Sequence, residues 1–119
     1  MEACFKPEIR REIRLSDKTY LVNDCYYLID FSTWDEQLRD FLAEKAKLEL
    51  HPEHLAVIEF LRESYRRDKR HPVIRMVTSN LAHSFAKEKG TVKYFHTLFP
   101  SGIHQAFLVA GLPMQDSCC

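Results

Sequence analysis

Glycine and proline are scarce in this chain, three and five among 119 residues. So few turn-formers argue against a β-sandwich built on many tight turns and against low-complexity sequence. No apolar run approaches the roughly 20 residues a bilayer span needs, which excludes a helical membrane protein and a membrane partner. Residues 1–14 are charged and lack the apolar stretch of a secretory leader, so a cytoplasmic setting with reduced thiols is expected. There is no C-x-x-C pair, which removes the usual signature of a redox dithiol or a zinc ribbon. Phosphate-cradling glycine loops and the G-x-S-x-G elbow are also missing, so nucleotide and acyl-transfer chemistry lose their local support. No cofactor and no metal is expected.

Net charge is zero, with 17 basic and 17 acidic residues, but the signs are segregated. Residues 17–61 hold ten acids against four bases, and residues 62–93 hold nine bases against three acids. The pattern fits two solvated faces of a neutral protein, or a handle for an anionic partner such as RNA. Apolar residues at 45% suit one globular domain of this length.

The hydrophobic periodicity predicts an α+β, mainly α fold. A small N-terminal β-hairpin, Glu12–Leu15 and Thr19–Val22, precedes a bundle of about five helices and a flexible C-terminal arm. Cys25 to Ile29 reads as a third strand or an aromatic lead into the first helix. That helix spans 34–48, opened by a Thr33/Glu36 capping box, with Trp34, Leu38, Phe41, Leu42 and Leu48 inward. The second starts at Pro52 and runs to about Arg67, with Leu55, Ile58, Leu61 and Tyr65 inward. Pro72 opens the third, whose inner face is Ile74, Val77, Leu81 and Phe85, and Gly90 ends its extension. Thr91 caps a short helix bearing Val92, Phe95 and Leu98. A last short helix carries Ile103, Ala106, Phe107 and Ala110 and stops at Gly111. Leu112-Pro113 then sends the chain away extended, because a residue before proline avoids the helical region. The organisation is one domain over 1–111 and an arm over 112–119.

Six histidines invite a metal reading, but His51-Pro52-Glu53-His54 is not H-E-x-x-H. His71, His83, His96 and His104 show no ligand spacing, so structural or solvated roles are expected. The stretch 52–85 has the length of a helix-turn-helix with Arg66, Arg67, Lys69, Arg70 and Arg75 around its turn. Its second helix nevertheless opens on apolar Val73 and Ile74 where base-reading polar side chains belong. Of the four cysteines, Cys25 lies in an apolar run and reads as a small core residue, and Cys4 is assigned nothing. Cys118 and Cys119 end a polar tail after a helix stop. They are either accidental terminal thiols or a reactive group on a swinging arm.

Leu50-His51-Pro52-Glu53-His54, Pro72-Val73-Ile74-Arg75-Met76, Tyr94 to Pro100 and Ala110-Gly111-Leu112-Pro113 occur in this order ahead of a penultimate Cys118. Together with Trp34-Asp35-Glu36 and Glu88-Lys89-Gly90, they resemble the DsrC/TusE family of sulfur-relay proteins. The resemblance implies a helical domain with an N-terminal hairpin and a mobile arm on which Cys118 carries sulfur. In TusE-like members the arm takes sulfur as a persulfide from a TusBCD-like donor complex and passes it toward an MnmA-like enzyme. That enzyme 2-thiolates the wobble uridine, so tRNA is met only indirectly. In DsrC-like members the arm enters dissimilatory sulfite reductase, and a second cysteine eleven residues before the first completes the chemistry. Phe107 stands at that position, which favours the single-cysteine relay of a sulfurtransferase-type carrier. The chain departs from the family's pattern at Met114-Gln115, at Ser101-Gly102-Ile103 and at Cys119, all on or beside the arm. These departures leave open a sulfite-reductase-like partner, another sulfur-metabolism complex or a regulatory role.

Asp116 disfavours a thiolate at Cys118, so a cation near the docked arm is expected to activate it, with Arg75 the candidate. Cys119 is either a neutral neighbour or a resolving thiol. A vicinal disulfide between the two would close a strained ring.

Overall fold

In the computed structural model, which describes residues 11–115, two strands are followed by five α-helices and two 3-10 turns. Strands β1 (Arg11–Leu15) and β2 (Lys18–Val22) pair antiparallel, with Ile13 opposite Tyr20. Ile13, Tyr20 and Val22 point into the core, and exposed Glu12, Arg14 and Thr19 beside them give the alternation of a half-buried hairpin. The segment 25–29 does not form a third strand, because only Leu28 bridges back to Val22. Tyr26 takes a positive φ of 70°, and the loop closes instead around the Asn23 side chain. Its Oδ1 accepts the N–H groups of Cys25 and Tyr27 at 2.8 and 3.0 Å. Cys25 is half-buried at the edge of the core and is disulfide-bonded, which overturns the expectation of a reduced thiol there.

Helix α1 covers Glu36–Lys45, shorter at both ends than the 34–48 expected. Asp35, not Thr33, is the cap: its carboxylate accepts the Leu38 N–H at 3.0 Å, whereas the Thr33 hydroxyl donates to the Asp30 carbonyl. The helix ends early because Lys47 turns left-handed at φ 60° and Leu48 donates back to the Ala43 carbonyl. Trp34 is thereby left outside α1 in extended backbone, free to face another element.

Helix α2 (Pro52–Asp68) is the longest and packs against both α3 (Ile74–Ser84) and α5 (Ile103–Val109). Its inner face is His54, Val57, Ile58 and Leu61, while Leu55 sits at the rim, 38% exposed. An imidazole replaces a leucine there because both ring nitrogens are used. Nδ1 accepts the His51 N–H at 3.1 Å, and Nε2–H donates to the Leu98 carbonyl at 2.8 Å. Burial pushes His54 below its ordinary pKa, in keeping with a neutral ring whose Nδ1 is an acceptor.

Pro72 lies in the α2–α3 loop rather than in α3, and Phe85 falls at the C-cap in a non-helical conformation. It is therefore turned off the inner face and 40% exposed. Gly90, after the 3-10 turn Lys87–Lys89, presses on α3 where a Cβ would meet Ala82 and the Thr78 carbonyl. Thr91 caps α4 (Val92–Leu98) by accepting the Tyr94 N–H at 3.0 Å. Phe95 and Leu98 face inward while Val92, in the first turn, is exposed. Tyr20, Phe95, Phe99, Phe107 and Leu112 are among the largest fully buried side chains, so the core joins the hairpin to the C-terminal helices. Among the described residues no helix is long and apolar enough to cross a membrane.

Asp35 fastens the hairpin to α1, receiving Lys18 Nζ at 2.8 Å and the Tyr20 hydroxyl at 2.7 Å as well as the Leu38 N–H. Partial burial alone would raise its pKa. The hydrogen bonds from Lys18, Leu38 and Tyr20 outweigh that and hold it at about 2. A carboxyl depressed in the fold stabilises above its unfolded value near 3.8, and that contribution is lost as pH falls through about 2. Asp35→Ala is expected to lower unfolding free energy by about 1 kcal/mol at neutral pH. It is also expected to flatten the loss of stability between pH 4 and 2 relative to wild type, as measured by urea denaturation at stepped pH.

Candidate functional site at the root of the C-terminal arm

The last described residues form the base of the arm, and five elements converge on them. Helix α5 ends in a Schellman turn. The Leu112 N–H returns to the Phe107 carbonyl at 3.0 Å and the Gly111 N–H to the Leu108 carbonyl at 3.1 Å, with Gly111 at φ +77°. Those two bonds leave the carbonyls of Val109 and Ala110 facing outward from the helix end. Trp34 Nε1–H donates to Val109 at 3.0 Å, and Arg62 Nη1 donates to Ala110 at 2.9 Å. Side chains thus satisfy the acceptors a helix C-terminus leaves open, and Arg62 adds a positive charge at the negative end of the dipole.

Arg62 is 8% exposed and lies between two aromatic faces, 3.8 Å from the Phe31 ring centre and 4.3 Å from that of Trp34. Its Nη2 donates to the Phe31 carbonyl at 3.0 Å. Burial, reinforced by Arg66, lowers its pKa to about 10, so it remains charged at neutral pH. Among the described residues the charge is met by two carbonyl dipoles and two π faces rather than by a carboxylate. Trp34 closes the arrangement, for a Cβ on Gly111 would collide with its ring.

Beyond Gly111 the chain stays on the body. Leu112 is fully buried, and Pro113, Met114 and Gln115 are half-buried. His71, in the α2–α3 loop, donates from Nε2 to the Pro113 carbonyl at 2.6 Å. Asn23 Nδ2 approaches Met114 Sδ at 3.4 Å, and His104 Nε2 donates to Gln115 Oε1 at 2.8 Å. Phe107 packs edge-on against both imidazoles, its ring centre 4.8 Å from that of His71 and 5.7 Å from that of His104. Burial pushes the His71 pKa down, against the hydrogen bond to Pro113.

Arg75 is exposed in the first turn of α3, four residues after His71. Cys118 and Cys119 lie outside the described residues. Arg62, Trp34, Asn23, His71 and His104 were not singled out as site residues by the sequence. Their one legible signal was the convergence of Trp34, Pro72 and Gly111-Leu112-Pro113 in the ordered motifs, which gives no pairing. Among the described residues no cluster of three or more metal-ligating side chains occurs.

A hairpin-led helical domain with a C-terminal segment rooted this way defines a class, and the profile of DsrC-like proteins matches residues 14–119. The chain belongs to the DsrC-like family. It is 40% identical over 93 residues to sulfurtransferase TusE of Escherichia coli strain K12, covering 77% of this chain and 85% of that protein. TusE of Pectobacterium atrosepticum is 38% identical over the same coverage. Among solved structures, DsrC of Allochromatium vinosum superposes with a TM-score of 0.79 at 36% identity, over 91% of this chain and 97% of that one. The oxidized γ-subunit of dissimilatory sulfite reductase (DsrC) from Archaeoglobus fulgidus superposes with a TM-score of 0.83 at 26% identity, over 92% of this chain and 100% of that one.

Two substitutions probe the root. Arg62→Lys keeps a charge but cannot reach both carbonyls while stacking on both rings. It is expected to cost about 2–3 kcal/mol in chemical denaturation. Gly111→Ala is expected to cost at least about 1–2 kcal/mol from the left-handed backbone alone, and a change in Trp34 fluorescence should report its displaced ring.

Proposed function

We propose that this protein is a sulfur carrier of the sulfurtransferase type, loaded as a persulfide on Cys118 and acting in the cytoplasm in a relay toward 2-thiouridine at the tRNA wobble position. The observation that supports it most is the mount. Arg62, Trp34 and the Gly111 turn fix the point from which the arm departs, so a thiol six residues past Leu112 rides a short tether on a rigid base. A relay needs this combination, because one sulfur atom must visit a donor and then an acceptor without the domain rearranging.

The transfer is an exchange at sulfur. The Cys118 thiolate attacks the outer sulfur of a donor persulfide, the donor leaves as its own thiolate, and Cys118 holds the S–SH group. An acceptor thiolate then repeats the step on Cys118. No net oxidation occurs and no cofactor is consumed. Exposed Arg75, close in sequence to the loop that holds Pro113, is the cation proposed to favour the thiolate against Asp116. A TusBCD-like complex is the proposed donor and an MnmA-like enzyme the proposed acceptor, with Cys119 a bystander.

The second reading is a partner for a sulfite-reductase-like complex, and the DsrC structures favour it at the level of the fold. Phe107 speaks against it. It is 2% exposed, packed between His71 and His104, and brings no second thiol to α5. A regulatory role remains the third reading and requires no sulfur loading.

Incubating reduced protein with inorganic polysulfide and weighing it intact tests the assignment. Wild type and Cys25→Ser are expected to gain the mass of one sulfur, which a proteolytic digest then places on the arm peptide, and Cys118→Ala is not. Equal loading of the Cys118→Ala protein overturns the proposal.

A further inference from the structure

Three side chains from separate parts of the body meet three consecutive residues of the arm: His71 holds Pro113, Asn23 meets Met114 and His104 holds Gln115. The bonds to His71 and His104 end on oxygen acceptors at 2.6 and 2.8 Å, so both rings act through Nε2–H. Phe107, on one turn of α5 with His104, stands edge-on to both rings and keeps the two donors at a fixed spacing. Tyr65 backs His71 from the other side at 5.4 Å between ring centres, and the Tyr27 hydroxyl donates to the His104 carbonyl at 3.3 Å. The contacts are thus buttressed from α2 and from the loop after β2.

We infer that His71 and His104 are positioning residues that set the reach of the arm thiol by moving its pivot from Leu112 to Gln115. This rests on Cys118 being the carrier. Cys118 lies three residue steps past Gln115, a span of at most about 10 Å, and six steps past Leu112, a span of at most about 20 Å. Because volume goes as the cube of the tether, moving the pivot to Gln115 cuts the volume open to the Cys118 thiol by about eightfold. Buried Leu112 belongs to the Schellman turn and does not open with the latch. A partner that needs the longer reach must therefore supply contacts that outbid two hydrogen bonds and one weak N–H···S contact.

The test separates packing from latching. His71→Phe keeps an aromatic ring against Phe107 and Tyr65 and removes the donor, and exposed His104→Ala removes the second. Backbone 15N order parameters at Met114 and Gln115 are the readout. In wild type they are expected near the rigid value of about 0.85, and in H71F/H104A below about 0.6, while the helices stay unchanged. His71→Gln, which keeps an N–H donor, is expected to restore order in the His104 background. Wild-type values as low as those of the double variant, or a double variant as ordered as wild type, overturn the inference. Polysulfide loading of Cys118 is measured on the same samples. Loss of loading with the order parameters as expected counts against the carrier reading alone, and normal loading with unchanged order counts against the latch alone.

Discussion

The structure turns on a guanidinium with no carboxylate partner among the described residues. Arg62 sits in the middle of the longest helix, nearly out of water, and ties three chain segments together through donors alone. A buried charge without a counter-ion is costly unless dipoles and π faces stand in for one. Here the Ala110 and Phe31 carbonyls and the rings of Phe31 and Trp34 take that part. The cost explains the geometry around it. Phe31–Thr33 must coil into a 3-10 turn to offer its carbonyl, Trp34 must stay outside α1, and α5 must end where Ala110 can be reached. Displacing any one leaves the others holding an unsatisfied charge, so the root of the arm is fixed cooperatively rather than by the strength of any single bond.

The same arrangement explains why Gly111 has to be glycine. The left-handed turn it makes suits a residue without a side chain, and the approach of Trp34 leaves no room for one. Sulfur exchange benefits when the mobile part of a carrier is short and everything behind it is stiff, because the entropy lost on docking is then confined to few bonds. Burial of Leu112 and the contacts made by Pro113, Met114 and Gln115 make this part of the arm a fixed stem.

Much of the fold was legible from periodicity. The N-terminal hairpin, Pro52 at the first position of α2, Thr91 as a cap and Gly111 as a stop all follow from local chemistry, and each is found. The failures have a common cause. Thr33 and Asp35 are both good caps two residues apart, and the choice went to Asp35 because Lys18 and Tyr20, distant in sequence, gather on its carboxylate. Leu55 and Phe85 were placed inward by hydropathy, but His54 displaced one by finding partners for both ring nitrogens, and the C-cap geometry turned the other away. Periodicity registers how apolar a side chain is. It is blind to whether a polar one will be satisfied.

That blindness is greatest at the site. The ordered motifs and the arm cysteine indicated a family and a carrier, yet Arg62, His71 and His104 looked like members of a basic segment and an unspaced set of histidines. Their roles depend on backbone carbonyls of Ala110 and Pro113 and on the side chain of Gln115, which stand 48, 42 and 11 residues away. Carbonyl acceptors leave no mark in a sequence, since every residue has one. The segregation of charge also takes on a local meaning. Arg66, Lys69, Arg70 and Arg75 are exposed at the end of α2, in the loop that follows and at the start of α3, flanking the His71 that grips Pro113. These cations form a basic collar beside the stem, the kind of surface that steers an anionic partner by its field.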